Sequence, residues 1–413
     1  MIRSGTGLLL CKRSVTPVFL FCLLFWWCST AQGWALTKLS RPSANLHGVF
    51  FLTKEEGWAV GQLGKIFHTI DGGKSWEEQH SGTNLLLTAV DFVDRTRGWI
   101  VGERGIILAS EDGGATWRVQ QSGVTYPLFD VGFIDGEKGW AVGHWGTMLF
   151  TEDGGKRWVE RSLALDLSEA KGPIDPAVLH DVTDPQSGEV VVKAGQLLTK
   201  DIIAEITQRG ISGVRIREDV VLNTVFFVNQ THGWVAGERG VLLRTADGGQ
   251  QWEKIILPRP PRATDEVVED EMMSEEELEA FGVISPPPSL YGVYFISPQQ
   301  GWVVGQDGTV AHTQDGGYHW EFQPVATREA LYDVGIVGET GWIVGDKGTV
   351  LVSADGGAAW EQQELGVEYR LSWLRRLAVV PGDLSFLVGA DGLVLASGQS
   401  PGQGLWLRPP TQQ

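Results

Sequence analysis

The sequence predicts an all-β fold, a seven-bladed β-propeller with four-stranded blades, and three observations support this prediction. A unit typified by residues 98–117, GWIVGERGIILASEDGGATW, recurs through the chain at a spacing of roughly 40 residues. Each copy contains short runs of β-forming residues separated by glycine-containing turns. The copies are numerous enough to close a ring. They begin at Gly57, Gly98, Gly139, Gly233, Gly301 and Gly341, with a degenerate copy from Ser385.

Each repeat is expected to form four antiparallel strands. In the first copy, residues 46–51 are an apolar run, and residues 58–60 and 65–70 flank a Gly-x-x-Gly sequence that predicts a tight two-residue hairpin turn. Residues 71–73, Asp-Gly-Gly, predict the next turn, because Asp can bind its own turn backbone and glycine accepts a positive φ. Trp76 then begins the fourth strand. Four-stranded units with this period are β-propeller blades.

The chain begins with a predicted secretory signal peptide, residues 1–31. Basic residues precede an apolar run at residues 15–28, and small residues suited to cleavage follow it. An uncleaved membrane anchor stays open, although about 14 apolar residues are short of the ~20 that a span needs. A lipoprotein anchored at Cys28 is disfavoured because Trp26 and Trp27 replace the usual small residues. We therefore expect a periplasmic or extracellular protein.

The composition excludes several classes of function. All three cysteines lie in the leader, so the mature chain would have no disulfide and no thiolate site. The formal net charge of −18 would fall to −21 without the three basic residues of the leader, which makes nucleic acid an unfavourable partner. The histidines show no metal-binding spacing, and no phosphate-binding glycine loop is present. We expect no metal and no cofactor.

The first three blades are predicted in residues 32–165, together with an N-terminal strand. Residues 34–39 stand where the outer strand of a blade would stand, so this strand is expected to close the ring against the last blade. Closure of this kind would remove an exposed sheet edge. Residues 406–408 fit the same position, and the sequence leaves open which of the two strands occupies it.

The repeat spacing breaks twice. Residues 166–217 predict a small α+β insertion between blades 3 and 4, with a short amphipathic helix near residues 199–209. Residues 258–289 predict a mobile, acidic, proline-rich loop between blades 4 and 5. Blade 4 is predicted in residues 218–257, and blades 5–7 are predicted in residues 290–413.

The repeat carries the pattern S/T-x-D-x-G-x-T/S-W, which is complete at residues 69–76 and 110–117. This pattern resembles the Asp-box, or BNR repeat, of sialidases and related propellers. Together with the preceding G-W-x-V-G, the unit is similar to the photosystem II assembly and stability factor family of Asp-box propellers. The first insertion also resembles a small hybrid module of bacterial RNA polymerase largest subunits, which implies a compact α+β piece and not polymerase chemistry.

Residues shared by every repeat are expected to serve folding, because folding is the task that all the copies have in common. The Asp-box aspartates are therefore predicted to be structural. They are Asp71, Asp112, Asp153, Asp247, Asp315 and Asp355. Strand order places them on one face of the ring, and places the Gly-x-x-Gly turns and both insertions on the opposite face, here called the insertion face.

Residues that depart from the repeat on the insertion face are the candidate binding residues. The second residue of each first strand is expected to lie near the central opening, and Arg370, Arg375 and Arg376 add a basic spot to an acidic chain. The second residues of the first strands are His47, Thr88, Phe129, Asn223, Tyr291, Tyr332 and Arg375. The predicted binding set is Arg104, Phe129, His144, Trp145, Arg239, Tyr291, Tyr332, Arg370, Trp373, Arg375 and Arg376.

Two functions are compatible with these features. The resemblance to the photosystem factors implies a non-catalytic, exported scaffold that binds a protein partner and helps to assemble or stabilise an envelope or membrane complex. We expect a monomer. The alternative is an Asp-box glycoside hydrolase, which needs two carboxylates on opposite sides of a glycosidic bond. Its candidate acids show no pair that stands out from the repeat. They are Glu103, Asp130, Glu238, Asp307 and Asp333.

Overall fold

A computed structural model describes most of the chain. The described residues are 34–38, 44–161, 164–166, 178, 180–194, 196–211, 214–217, 219–257, 287–380 and 384–399. The predicted signal peptide, most of the predicted acidic loop and Trp406 lie outside them. No helix in the described part of the chain has the length and apolar character needed to cross a membrane.

The described repeats form seven four-stranded antiparallel sheets, which confirms the predicted seven-bladed propeller. The N-terminal strand β1 is Trp34–Lys38. Blade 1 contains β2 (Leu46–Phe51), β3 (Gly57–Gly61), β4 (Ile66–Thr69) and β5 (Glu77–Gln79). Blade 2 contains β6 (Leu87–Phe92), β7 (Gly98–Gly102), β8 (Ile107–Ser110) and β9 (Arg118–Gln120). Blade 3 contains β10 (Leu128–Phe133), β11 (Gly139–Gly143), β12 (Met148–Thr151) and β13 (Val159–Glu160).

Between blades 3 and 4 the chain forms two short two-stranded sheets and one helix. The elements are β14 (Ala164–Asp166), β15 (Val182–Thr183), β16 (Val190–Val192), α1 (Lys200–Gln208) and β17 (Arg215–Arg217). The hydroxyl oxygen of Thr199 caps α1 by accepting a hydrogen bond from the Ile202 backbone N–H at 3.4 Å. A small apolar core of its own, including Val182, Val192 and Ile206, holds this piece together.

The remaining blades repeat the same four-stranded order. Blade 4 contains β18 (Leu222–Phe227), β19 (Gly233–Gly237), β20 (Val241–Thr245) and β21 (Glu253–Ile256). Blade 5 contains β22 (Leu290–Phe295), β23 (Gly301–Gly305), β24 (Val310–Thr313) and β25 (Glu321–Phe322). Blade 6 contains β26 (Leu331–Val337), β27 (Thr340–Gly345), β28 (Val350–Ser353) and β29 (Glu361–Gln362). Blade 7 contains β30 (Leu374–Val380), β31 (Leu384–Gly389) and β32 (Val394–Gln399).

The ring closes through the N-terminal strand. Strand β1 pairs antiparallel with β32, from Trp34 opposite Gln399 to Lys38 opposite Leu395, and so supplies the outer strand of blade 7. The structure thus decides between the two strands that the sequence left open, in favour of the one at Trp34. The pairing covers the edge of β32, which would otherwise present unpaired backbone groups.

The core lies in the wedges between neighbouring blades, where four buried tryptophans of the G-W pairs, Trp58, Trp99, Trp234 and Trp302, donate to a glycine carbonyl of the next blade. The indole nitrogen of Trp140 has no such partner among the described residues. The indole N–H of Trp58 donates to the Gly113 carbonyl in blade 2 at 3.2 Å, and its ring stacks on Phe92 with centroids 3.7 Å apart. Trp99 repeats this arrangement in blade 3, on the Gly154 carbonyl and Phe133. An apolar wedge with satisfied indole donors explains why the repeat requires tryptophan there.

The Gly-x-x-Gly turns differ in one detail from the prediction. The two central residues are the second x and the closing glycine, not the two x residues. In blade 1, Leu63 and Gly64 have φ values of 58° and 67°, and the Lys65 N–H donates to the Gln62 carbonyl. Positive φ at both central positions is the type I′ geometry that matches the twist of a hairpin.

A β-bulge lies at the start of the first strand in all seven blades. In blade 1, Leu46 pairs with Gly61 and Gly48 pairs with Val60, so His47 is left out of the ladder. The other six blades show the same register shift at the same place. The leucine before the bulge is fully buried in every blade, which fixes the backbone on that side. A bulge re-aims the side chain of the extra residue.

Candidate functional site

The bulged residues of all seven blades surround one cavity, here called the mouth cavity. It has a volume of about 470 Å³ and opens on the insertion face. It is lined by Asn45, His47, Gln62, Leu86, Thr88, Phe129, Asn223, Tyr291, Tyr332, Trp373, Arg375 and Arg376. The Gly-x-x-Gly turns lie beside the cavity. In blade 1, for example, the backbone N–H of Gln62, the first x of the turn, donates to the carbonyl of Asn45, which directly precedes the first strand.

Aromatic side chains form much of the wall of the mouth cavity. The rings of Tyr291 and Tyr332 lie 5.6 Å apart, and those of His47 and Trp373 lie 4.9 Å apart. Burial raises the pKa of both tyrosines, so their hydroxyl groups stay protonated at neutral pH. Burial, together with the nearby Arg375 charge, lowers the pKa of His47 to about 4, so this imidazole is neutral. The aromatic part of the wall is thus uncharged at neutral pH.

Two adjacent arginines enter the cavity, and their environments differ. Arg376 lies 3.4 Å from the Asp130 carboxylate, and both side chains are buried. Arg375 places its guanidinium carbon 4.5 Å from the centre of the Tyr332 ring, and no carboxylate pairs with it among the described residues. Burial lowers the pKa of Arg375, and the neighbouring Arg376 charge adds to this effect. Arg376 therefore has a carboxylate partner, whereas Arg375 has only Tyr332 beside it and the more distant charge of Asp333, which offsets part of the effect of burial on its pKa.

Below the mouth, aspartates on the first strands connect neighbouring blades; Asp91, Asp130 and Asp333 are here called the channel aspartates. The Asp91 carboxylate accepts the Phe133 backbone N–H at 2.7 Å, and the Asp333 carboxylate accepts that of Leu377 at 2.9 Å. Asp130 does the same across the blade 3–4 boundary, where it accepts the Val225 N–H at 3.0 Å and the Thr224 hydroxyl. These carboxylates act as ties between inner strands.

Burial shifts the ionisation of two channel aspartates. It raises the pKa of Asp91 to about 7, against the opposing effect of the Phe133 N–H. It raises the pKa of Asp333 to about 6, although the Arg376 charge and the Leu377 N–H both favour the ionised form. A carboxylate that titrates near neutral pH exchanges its proton under ordinary conditions.

The structure divides the predicted binding set into two groups. Phe129, Tyr291, Tyr332, Trp373, Arg375 and Arg376 line the mouth cavity. Arg104, Trp145 and Arg239 occupy the left-handed position of their turns on the insertion face, and His144 precedes Trp145. Arg370 is exposed after a short 3-10 turn at Val367–Tyr369. The second group does not line the cavity.

Sequence reasoning did not single out Asn45, Gln62 and Leu86, although they also line the cavity. The amide of Asn45 donates to Gln62 at 3.0 Å and accepts the Asp391 backbone N–H at 2.7 Å, so Asn45 links blades 1 and 7. The repeat alignment could have identified them. Asn45 and Leu86 directly precede a first strand, and Gln62 is the first x of a Gly-x-x-Gly turn.

The Asp-box aspartates hold their own turns. Asp71 accepts the Thr69 hydroxyl and the Ser75 backbone N–H, each at 2.9 Å, and the hydrogen bonds from Ser75 lower its pKa to about 2. The Gly72 N–H donates to the Glu55 carbonyl in the connection between the first two strands. The backbone N–H four residues after the aspartate repeats the Ser75 bond in the other five boxes. These contacts account for the motif through folding.

The acids considered for glycoside hydrolysis are largely occupied by backbone contacts. Glu103 accepts the Leu86 N–H at 3.1 Å, and Glu238 accepts the Val221 N–H at 3.2 Å. Asp130 and Asp333 tie neighbouring blades, as described above. Among the described residues, no group of three or more His, Cys, Asp or Glu side chains is arranged to hold a metal ion.

Comparison with known proteins gives one family. The family model described as photosynthesis system II assembly factor YCF48 matches residues 28–122, 116–174, 203–277 and 272–372, which is more than half of the chain. Photosystem II assembly lipoprotein Ycf48 from Synechocystis sp. is 37% identical over 75 residues, 18% of this chain and 15% of that protein. Its counterpart from Synechococcus sp. is 28% identical over 96 residues, 23% of this chain and 22% of that protein. The aligned parts thus span less than a quarter of either relative.

Two solved structures share the fold. One is described as YCF48 bound to D1 peptide, with a TM-score of 0.58 and 18% identity, covering 89% of this chain and 97% of that one. The other is YCF48 from Cyanidioschyzon merolae, with a TM-score of 0.57 and 17% identity, covering 88% of this chain and 99% of that one.

Proposed function

Because the chain belongs to the family of photosynthesis system II assembly factor YCF48, we propose that it is a non-catalytic scaffold that binds a segment of a protein partner in its mouth cavity. The partner is a subunit of a membrane complex, and the propeller acts on the exported side of that membrane. The fold neighbour bound to a D1 peptide and the curated relatives named assembly lipoproteins support this reading.

The observation that carries the proposal is the convergence of seven bulged residues on one cavity. The fold needs the buried leucine before each bulge. Of the bulged side chains, those of Thr88 and Asn223 also donate to carbonyls of the next blade. The other five bring rings and a guanidinium without a carboxylate partner among the described residues into the same space. A cavity of about 470 Å³ with aromatic walls accommodates a few side chains of an extended peptide.

The same geometry supports a role without chemistry. Glycoside hydrolysis needs one carboxylate free to protonate a leaving group and another free to act as base or nucleophile. Here Glu103 and Glu238 are bound to backbone N–H groups, and Asp130 and Asp333 lie below the mouth as ties between blades. The aromatic wall contributes contact area and not acid–base chemistry.

Site-specific photocrosslinking tests the proposal in the host cell. A photoreactive phenylalanine analogue is placed at Phe129, in the wall of the mouth cavity, and at Ile70, which is 72% exposed in an Asp-box turn on the opposite face. We expect a discrete crosslink to a membrane-complex subunit from position 129 and none from position 70. Crosslinks only from position 70 would place the partner on the wrong face and refute the proposal.

A further inference from the structure

The guanidinium of Arg375 is a buried cation without a carboxylate partner among the described residues, and it faces the mouth cavity. Burying a charge is costly unless an opposite charge or strong acceptors compensate it. The other arginine of the pair is compensated by Asp130 at 3.4 Å. Arg375 has a cation–π contact at 4.5 Å and a hydrogen bond with Tyr332, and the more distant Asp333 charge also acts on it, but none of these is a carboxylate pair. The cavity therefore has a defined place for an anionic group.

We infer that the mouth cavity binds a carboxylate of the partner through Arg375, and that Asp333 opposes this binding through Arg376. The inference rests on the proposed function, that the cavity holds a segment of a protein, and it adds the chemistry of the residue that enters. Arginine matches a carboxylate with two parallel N–H donors, which gives direction as well as charge.

A second polar atom at the same cavity lacks a partner in the part of the chain that the structure describes. The Nε2 atom of His47 is buried and has no hydrogen-bond partner among the described residues. The imidazole is neutral, so one of its ring nitrogens is a donor and the other an acceptor, and it adds hydrogen-bonding capacity without charge. His47 sits in the bulge of blade 1 and lines the same cavity as Arg375. The mouth cavity thus holds both an arginine without a carboxylate partner and a ring nitrogen without a hydrogen-bond partner among the described residues.

The competition by Asp333 follows from the position of Arg376. Arg376 lines the mouth cavity and also a second cavity of about 240 Å³ in the channel below, where Asp130 and Asp333 lie. Its charge is balanced from below by both aspartates. When Asp333 takes up a proton, less of the Arg376 charge is neutralised, and the potential at the mouth becomes more positive. A carboxylate in the mouth then binds more tightly.

Other charged or titratable groups lie near this pair, and the charge of Asp333 also acts on Tyr294 of β22 and on Arg375 of β30. Asp130 on β10 pairs with Arg376, and Tyr291 and Tyr332 on β22 and β26 have raised pKa values. His47 on β2 has a pKa of about 4, and Glu103 beside β6 interacts with it. Asp91 on β6, with a pKa of about 7, acts on Asp130 rather than on Arg376. Asp333 is therefore the group to vary.

The experiment uses three short peptides with flanking phenylalanines and measures their affinity for the full chain by isothermal titration. The first has an internal glutamate and an amidated C-terminus, the second has glutamine and a free C-terminal carboxylate, and the third has glutamine and an amidated C-terminus. We expect the first or the second to bind about tenfold or more tightly than the third. The stronger of the two tells whether a side chain or a chain end supplies the carboxylate. Equal binding of all three would overturn the inference.

Variants of the two arginines provide the controls. Arg375→Gln should abolish the preference for the carboxylate, and Arg375→Lys should keep part of it, because lysine retains the charge without the fork of donors. Arg370→Gln is the matched control, since this arginine is exposed and does not line the cavity. Loss of preference in Arg370→Gln, or its retention in Arg375→Gln, would contradict the assignment.

The pH dependence tests the competition. Affinity for the better carboxylate peptide should rise severalfold from about pH 7.5 to about pH 5.5, where the peptide itself stays ionised. Asp333→Asn should bind with the higher affinity at both pH values, and circular dichroism checks its fold. A flat profile in the wild type, or weak binding by Asp333→Asn, would refute the competition. A crosslinked partner together with indifferent peptides would leave the proposed function standing and remove only this inference.

Discussion

Each Gly-x-x-Gly turn places one ordinary residue in a left-handed backbone conformation. The φ values lie between 50° and 58°. The residues are Leu63, Arg104, Trp145, Arg239, Asp307, Lys347 and Asp391. This conformation costs roughly 1–2 kcal/mol for most L-residues, and asparagine and aspartate tolerate it better than the others. The protein thus carries a small strain in every blade, on the face that bears the mouth cavity.

Replacing Leu63 should release part of this strain. Leu63 is 68% exposed, so Leu63→Asn loses little packing and should raise the free energy of unfolding by about 0.5–1 kcal/mol. Leu63→Val is the opposite control, because a β-branched residue is disfavoured at positive φ, and it should be destabilising. Guanidinium unfolding monitored by tryptophan fluorescence gives both values. A stabilising valine would contradict the argument.

The raised pKa of Asp91 makes stability depend on pH. In the unfolded chain Asp91 loses its proton near the ordinary value of 3.8, whereas in the folded protein it does so near 7. The folded state therefore holds the proton more tightly, and the contribution of Asp91 to stability falls as pH rises from about 4 to about 7. Asp91→Asn keeps an oxygen for the Phe133 N–H and removes the titration.

We expect the melting temperature of Asp91→Asn to exceed that of the wild type at about pH 8, with a much smaller difference at about pH 4.5. Asp71→Asn is the control of opposite sign. Its pKa is lowered to about 2 by hydrogen bonds from Ser75, so the ionised form stabilises the fold above the ordinary value. That variant should melt lower than the wild type at about pH 8. A difference for Asp91→Asn that does not change with pH would refute its assigned ionisation.

At the scale of the element, a glutamine three residues after the Asp-box tryptophan joins adjacent blades. Gln120 donates to the Gly154 carbonyl at 2.9 Å and accepts the Trp158 indole N–H at 3.1 Å. In blade 3 the corresponding residue is Arg161, which donates to the Gly249 carbonyl but has no acceptor to offer. The indole nitrogen of Trp252 in blade 4 is accordingly buried without a partner among the described residues.

Arg161→Gln should restore the missing hydrogen bond between blades 3 and 4. Satisfying one buried indole donor is worth about 1 kcal/mol, so the free energy of unfolding should rise by roughly that amount. The reciprocal change Gln120→Arg should lower it by a similar amount, because it would leave the Trp158 indole unsatisfied. Chemical denaturation of the two single variants checks the pair. Changes of the same sign in both would contradict the explanation.

The sequence predicted the elements better than the residues that fill the centre of the ring. The tryptophans, the Asp-boxes and the glycine turns recur because every blade needs them, and their period was enough to predict seven sheets. The channel aspartates could not be assigned in this way. Asp130 and Asp333 depart from the repeat, as a catalytic acid would, and only the partner N–H groups of Val225 and Leu377 reveal them as ties between blades.

The bulges explain a second gap between the sequence and the site. Leu46, His47 and Gly48 read as part of one continuous strand, and nothing local marks His47 as the residue left out of the ladder. The sequence placed the second residue of each first strand near the opening, but the volume and the shared wall of the mouth cavity depend on seven strands meeting at an axis. The cavity therefore exists only in the assembled ring, and no single repeat of the sequence reveals it.

At the scale of the whole molecule, the two ends of the ring are joined by non-covalent pairing alone. Strand β1 pairs along its full length with β32, and the seventh blade has no other fourth strand among the described residues. An unpaired β32 would present a free edge that invites association with other chains. Stability and solubility should therefore both depend on residues 34–38.

Two truncations test the closure. A chain that begins at Ala44 should unfold at a lower guanidinium concentration than one that begins at Gly33, and it should aggregate on heating. A chain that ends at Gln399 should keep the midpoint of the longer form, because β1 already occupies the position for which Trp406 competes. If removal of residues 400–413 is the more damaging change, the C-terminal segment contributes to closure.

In each blade, the bulge assigns core packing and lining of the opening to two different residues of the first strand. The leucine on one side of it is locked in the core, while the residue beside it has no cross-strand neighbour to satisfy, and this position holds His, Thr, Phe, Asn, two Tyr and Arg. At Thr88 and Asn223 the side chain also bonds to a carbonyl of the next blade. At the other five positions, substitution alters what the opening recognises without a matching change elsewhere in the sheet. The architecture thus offers five separately exchangeable contact points, so that one framework can acquire new specificities one codon at a time.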